Sequence, residues 1–143
     1  NEAMQDRHWK SVMTLTHSHF DKGAHFCLAN VLDLKLHAHV DDVQEIVEVA
    51  VKERKIEKRM QSIEDAWTGL AFNFVPYKDS ETKMLGASSD IVEVLEEHQL
   101  NLQTMAGMGK FVDYFRDRVE EWQRTLGTVE TVLKLFQILG RLK

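Results

Sequence analysis

Over roughly residues 38–68, apolar side chains recur at alternating steps of three and four: Ile46, Val49, Ile56, Met60, Ile63 and Trp67, followed by Leu70. Such spacing places them on one face of a helix, so a long helix is predicted here. Glu53 is the only polar residue on that line. A second apolar set, Val40, Val43, Val47 and Ala50, widens the stripe in the first half and predicts that this end packs between two neighbours. The outward positions are charged and include Glu48 and Lys52, an i, i+4 pair that supports helix.

From Leu70 to Tyr77 the pattern changes to period two, rich in aromatic and branched residues, which predicts a strand. Lys78-Asp79-Ser80-Glu81 would form the turn, and Thr82 to Leu85 a return strand ending at Gly86. Pro76 belongs on an outer edge because it cannot donate to a ladder. A lone hairpin is marginal, so this one is expected to pack on helices.

Helix resumes after Ser88-Ser89-Asp90, with Asp90 and Glu93 in the spacing of an acid-capped start. Ile91, Val94, Leu95, Leu102 and Met105 share its inner face, with His98 between them. Gly107 and Gly109 break the pattern, and Phe111, Phe115, Val119, Trp122 and Leu126 begin another helix. Gly127-Thr128 reads as a junction with Thr128 as cap, and Val129, Leu133, Phe136 and Leu139 as a final helix. At the other end, Met4 to Thr16 suits a helix that turns Trp9, Val12, Met13 and Thr16 inward. Residues 17–30 read as a loop, and Ala29 to Leu36 as a short helical turn. No internal repeat is evident. The expectation is a mainly α fold, an elongated helical bundle with a short β-hairpin near 70–86, forming a single helical segment over 1–143. Trp9, Trp67 and Trp122 would be its structural anchors, each with an indole N–H that needs a partner.

Composition narrows the class. With 143 residues, 43% of them apolar, the chain can fill one domain core. One proline and seven glycines favour long helices over a many-turned β fold. A net charge of −5 with interspersed signs argues against nucleic acid, which needs a concentrated basic face, and against a bare membrane-surface helix. Apolar runs are too short to span a bilayer, and the N-terminus has no signal-peptide pattern. Cys27, the single cysteine, cannot form an intrachain disulfide, which points to a reducing, cytoplasmic setting. Without Met at position 1, and with apolar periodicity running to Leu142, the sequence reads as a piece of something longer.

Candidate chemistry is sparse. His17, His19, His25 and Cys27, with His37 and His39 further on, are zinc-ligand types. Their spacing fits no ordinary zinc pattern, so scattered loop histidines beside a buried, inert Cys27 is the preferred reading, with no metal expected. Gly107-Met108-Gly109-Lys110 has the ingredients of a phosphate loop but lacks its leading glycine, its following Ser or Thr and its preceding strand. The pairs Asp41-Asp42 and Glu96-Glu97 diverge on a helix instead of converging on a cleft, and neither Ser18 nor Cys27 sits in a nucleophile motif. No catalytic or cofactor-binding residue is therefore assigned.

The remaining signal is the order of short motifs. Arg7-His8-Trp9-Lys10, Leu34-Lys35-Leu36, Ala50-Val51-Lys52-Glu53, Ile56-Glu57 and Trp67 are followed by Phe72-Asn73-Phe74-Val75-Pro76-Tyr77. Gly86, Asp90-Ile91, Leu102-Gln103, Met105, Phe115, Val119, Glu121-Trp122, Leu126 and Val129 come next. This succession resembles the linker region of dynein heavy chains, the second N-terminal region, and is nearer in wording to the ciliary (axonemal) members. Two places depart from the family: Gly107-Met108-Gly109 replaces a junction that often carries Ser, and Leu139-Gly140-Arg141-Leu142-Lys143 replaces a Gln-Arg-Lys-Trp-like segment. The resemblance implies a non-catalytic lever lying across a ring of six AAA+ ATPase modules, which bends and straightens as the ring changes nucleotide state. Its partners would be the rest of the same heavy chain, including that ring. ATP and microtubules would bind elsewhere in the parent motor, and no cofactor, nucleic acid or membrane would engage this segment. The setting implied is the cytoskeleton, in the axoneme of a cilium. Gly107 to Gly109 and Gly127 are candidate bending points. A free-standing helical adaptor is the alternative.

Overall fold

The periodicities described above become five α-helices, two 3-10 segments and one hairpin in the computed structural model, which describes residues 1–76, 81, 83–86 and 88–141, without side chains at 140 and 141. In order these are α1 (Asp6–Thr16), α2 (Leu28–Asp33), a 3-10 turn (Leu36–Ala38), α3 (Val40–Gly69), β1 (Phe74–Pro76), β2 (Lys83–Leu85), α4 (Ser89–Ala106), a second 3-10 segment (Gly109–Phe115) and α5 (Arg116–Arg141). The fold is mainly α with a short antiparallel hairpin, as the sequence patterns require. Contacts group the chain into two compact units, Asn1–Lys55 and Ile56–Lys143.

In the first unit α1 starts at Asp6, two residues later than expected, because Gln5 and His8 form a reciprocal cap. It stops at His17, which takes the left-handed conformation (φ 49°) while the Ser18 N–H donates to the Met13 carbonyl at 3.1 Å. Val12 is buried, and Trp9, Met13 and Thr16 are half-buried. The loop beyond returns to α1 through aromatic contacts: Trp9 meets Phe20 and Phe26 edge-on, with centroids 5.8 and 6.4 Å apart, and the two phenylalanines stack at 5.2 Å. On α3, Ala50 is fully buried and Val43 and Val47 half-buried. Val40 is exposed, so the widened stripe starts later than its spacing suggests.

The second unit has the larger core. Residues 56–69 of α3 present Ile56, Met60 and Ile63 to Leu95, Leu102 and Met105 of α4, Val112 and Phe115 of the 3-10 segment, and Val119, Leu126 and Leu133 of α5. Helices with stripes of this width bury them only against each other. Trp67, Leu70, Leu85, Phe111, Trp122 and Val129 close the edge of this cluster.

The hairpin pairs Phe74 with Leu85, Val75 with Met84 and Pro76 with Lys83. Its strands are shorter than the alternating pattern: Pro76 has no N–H, and the last rung is the Gly86 N–H donating to the Asn73 carbonyl at 2.8 Å. Of the expected turn, only Glu81 is among the described residues; Lys78 to Ser80 lie outside them, as do Tyr77 and Thr82.

Two boundary expectations are corrected. First, α4 begins at Ser89, so Asp90 sits in the first turn instead of capping it, where its negative charge still favours the helix end. Second, α5 runs unbroken through Gly127-Thr128. Thr128 caps nothing; its hydroxyl donates back to the Arg124 carbonyl at 3.1 Å. The reason is phase: Phe115, Val119, Trp122, Leu126, Val129 and Leu133 form one stripe, and a break at Gly127 would take Leu133 off the core. The other glycine junction is real, with Gly109 at φ 60° where α4 has ended.

These two glycines predict opposite outcomes for the same substitution. A Cβ at Gly127 meets nothing within 4 Å, so Gly127→Ala should raise stability by about 0.5–1 kcal/mol. Gly109 also has room, but its positive φ makes Gly109→Ala cost about 1 kcal/mol. Denaturant midpoints of the two variants check this, and a destabilising Gly127→Ala would contradict the unbroken helix.

Candidate functional site

The polar interruption in the α3 stripe is the first place to look for chemistry. Glu53 is inward on a helix packed by α1, and its side chain is only 8% exposed. A carboxylate so placed must be paired. Arg7 donates from Nε at 2.8 Å and also from Nη2, and His8 reaches the same oxygen, Oε2, from Nε2 at 2.9 Å. The Gln5 N–H donates to His8 Nδ1 at 2.9 Å, so that nitrogen is an acceptor and the ring proton is on Nε2, directed at Glu53. Consecutive residues of α1 thus meet one acid from α3, while the backbone cap of α1 sets the imidazole orientation. Beside it, His8, Ser11, Leu15, Asp42, Ile46 and Val49 line a groove of about 290 Å³.

Two further polar contacts hold the second unit. The Trp67 indole N–H donates to Nδ1 of the buried His98 at 2.9 Å. The Trp122 indole points at Glu64 Oε1, 3.4 Å away, which also accepts from Arg118. Gln99 of α4 donates to Glu130 of α5 at 3.0 Å, and Lys134 pairs with the same carboxylate. Hydrogen bonds from Lys134 and Gln99 hold the Glu130 carboxyl below the usual range. In the first unit Lys22, 2.6 Å from Asp6, holds that carboxyl down in the same way. Asp6 is exposed and Glu130 half-buried, with the Lys134 partner largely in solvent, so these pairs carry little stability.

The residues singled out for chemistry are not brought together. His17 terminates α1, His19 and His25 are exposed in the following loop, and His37 lies in the first 3-10 turn. His39, half-buried, ends that turn. Among the described residues no group of three or more His, Cys, Asp or Glu is placed to hold a metal ion. Cys27 is exposed, correcting its expected burial, because the six-residue α2 that it precedes buries none of its own side chains. Its thiol donates to the Asn30 Oδ1 at 3.2 Å. Gly107 to Lys110 form the bend after α4, and the Lys110 ammonium lies 5.5 Å from the Phe111 ring centroid. Asp41 and Asp42 are exposed in the first turn of α3, and Glu96 and Glu97 are exposed on α4.

Sequence reasoning marked Glu53 and His98 as inward polar residues but missed their partners. The signals were present: a carboxylate inside an apolar stripe requires a cation, and an indole N–H at a core edge requires an acceptor. Among the described residues, no buried side-chain nitrogen or oxygen lacks a hydrogen-bond partner.

Fold and site together define a helical packing element, whose interior polar groups are engaged in joining helix to helix. The family model for the dynein heavy chain, N-terminal region 2, matches residues 1–141. The chain is 41% identical over 138 residues to the dynein beta chain of the flagellar outer arm from Chlamydomonas reinhardtii, covering 94% of this chain and 3% of that one. It is 35% identical over 136 residues to dynein axonemal heavy chain 9 of Homo sapiens, covering 95% and 3% of the two chains. Against human dynein axonemal heavy chain 10 it is 35% identical over 144 aligned positions, with 99% and 3% covered. The chain belongs to the dynein heavy chain N-terminal region 2 family, and it spans about 3% of the length of these curated relatives.

The Glu53 cluster should behave as a clamp. Arg7→Met leaves the buried carboxylate with His8 alone and should cost about 3 kcal/mol. Adding Glu53→Met should recover much of that loss, giving strong coupling in a double-mutant cycle read by urea denaturation. Losses that simply add, within about 0.5 kcal/mol, would contradict the clamp.

Proposed function

We propose that this chain is a non-catalytic mechanical element, a linker or lever, in a microtubule-based, ATP-driven dynein motor, and that it passes conformational change from the AAA+ ring toward the tail. The observation that carries this reading is the family match over residues 1–141, in a chain whose motifs follow the linker's order. Relatives named as flagellar outer arm and axonemal chains support a place in the axoneme of a cilium. Its partners are then the remaining parts of the same heavy chain, the ring included, with microtubules and nucleotide engaged by other parts. No cofactor is assigned to this segment, nor any nucleic-acid partner. No helix among the described residues is long and apolar enough to cross a membrane.

The physical chemistry suits the role. Force passes through a helix pair only if side chains on both sides resist relative motion, and close-packed interiors do so because their rotamers are locked by neighbours. In the second unit the packed cluster runs from Ile56 of α3 through α4 to Leu133 of α5. Bending, where it occurs, belongs at Gly107 to Gly109, between α4 and the next helical segment, instead of at Gly127 inside α5.

Leu126→Ala in the intact heavy chain tests the role. The cavity costs about 2–5 kcal/mol of local packing, so microtubule gliding should slow several-fold while nucleotide binding by the ring stays unchanged. Unaltered gliding, or nucleotide binding by the isolated 143-residue chain, would contradict the proposal.

A further inference from the structure

His8 commits the two nitrogens of its ring in opposite directions. Nε2–H donates to Glu53 Oε2 of α3 at 2.9 Å, and Nδ1 accepts the Gln5 N–H, also at 2.9 Å. A neutral imidazole has one donor and one acceptor, so a single tautomer satisfies both bonds; in the imidazolium both nitrogens carry protons. The side chain is only 6% exposed, so water does not readily stand in for a lost partner. A proton still has a route, because the groove beside α1 is lined by His8 together with Asp42 and Glu45.

The charges around the ring decide which bond yields. From α3, Glu53 holds an oxygen against Nε2, and Asp42 and Glu45 line the groove, so these acids favour a cation here. Arg7, the neighbour on α1, opposes a second cation at the same carboxylate. Protonation makes the bond to Glu53 charge-assisted and stronger. At Nδ1 it sets a new N–H against the Gln5 N–H, two donors with no acceptor between them. The Gln5 bond is the one that breaks. On it hangs the turn before α1, where the Met4 N–H donates to the Asn1 carbonyl at 3.1 Å and Ala3 is buried.

We propose that His8 is a pH-sensitive latch on the entry to α1. As a neutral ring it ties the turn of residues 1–5 to the helix; on taking a proton at Nδ1 it releases that turn while keeping α1 fastened to Glu53. The bond to Gln5 is present at the alkaline end and lost as the pH falls. Imidazole is the side chain that ordinarily changes charge between about pH 5 and 8, which sets the range to search. The latch lies wholly in the first unit and is separate from the lever role.

Hydrogen exchange of the Gln5 amide in the intact heavy chain, resolved to single residues and divided by the intrinsic rate at each pH, tests the latch between about pH 8 and about pH 5.5. Losing one hydrogen bond corresponds to about a two- to ten-fold drop in protection. That drop is expected at Gln5 on acidification, while the amides of Val12 in α1 and Leu102 in α4 stay protected. His8→Gln supplies a side-chain carbonyl that takes the same N–H in a capping box and does not titrate, so its Gln5 protection should not respond to pH. Protection of Gln5 that is equal at both pH values in the unaltered chain would overturn the proposal. So would a joint loss at Gln5 and Val12, which means that acid undoes the whole α1 contact. An equal drop in His8→Gln would do the same by placing the titrating group elsewhere. The comparison of Gln5 with Val12 in the unaltered chain decides the matter even where His8→Gln does not fold.

Discussion

An α-helix hides an apolar stripe only by meeting another stripe, and the second unit depends on three such stripes closing on one core. Ile56, Met60 and Ile63 arrive from α3, Leu95, Leu102 and Met105 from α4, and Val119, Leu126 and Leu133 from α5, with Val112 and Phe115 supplied by the 3-10 segment. The α5 stripe explains why that helix runs past Gly127, whose propensity cost of about 1 kcal/mol is smaller than the loss of Leu133 from the core. The 3-10 segment after Gly109 places Val112 and Phe115 on the same core before α5 begins.

Among the described residues, buried polar side chains enter these interiors with partners. Glu53 brings a charge into the first unit, and Arg7 and His8 meet it from α1. His98 brings an imidazole to the second core, and the Trp67 indole meets it from α3. Each contact joins residues far apart in sequence, and each becomes costly if one member is removed. Such pairs fix the register in which helices meet. That is a useful property in a part proposed to carry force.

How much of this could be read from sequence followed the range of the interaction. Helix α3 was legible almost to the residue because its stripe repeats through Trp67, and the hairpin because Leu70 to Tyr77 alternates. The break at Gly127 was misread because a local Gly-Thr signal outweighed the phase of a stripe that extends beyond it. Glu53 stood out as a polar interruption, yet Arg7 and His8, forty-five or more positions away, could not be paired with it from periodicity. The histidines between His17 and His39 resembled ligands by type, but type says nothing about convergence, and the backbone disperses them. Burial of Cys27 was inferred from the habits of cysteine and failed because α2 has little to pack against. Membership of the dynein heavy chain family was legible only through the ordered succession of short motifs, because composition and periodicity carry a fold class but no family.

The most direct measurement of the lever proposal is backbone hydrogen exchange across residues 1–143 in the intact heavy chain, compared between two nucleotide states of its ring. A packed lever predicts that the amides of α4 and α5 stay protected in both states, with any nucleotide-dependent change confined to the junction from Gly107 to Gly109. Loss of protection throughout α4 and α5 in one state would contradict it, because helices that come apart cannot pass a load between them.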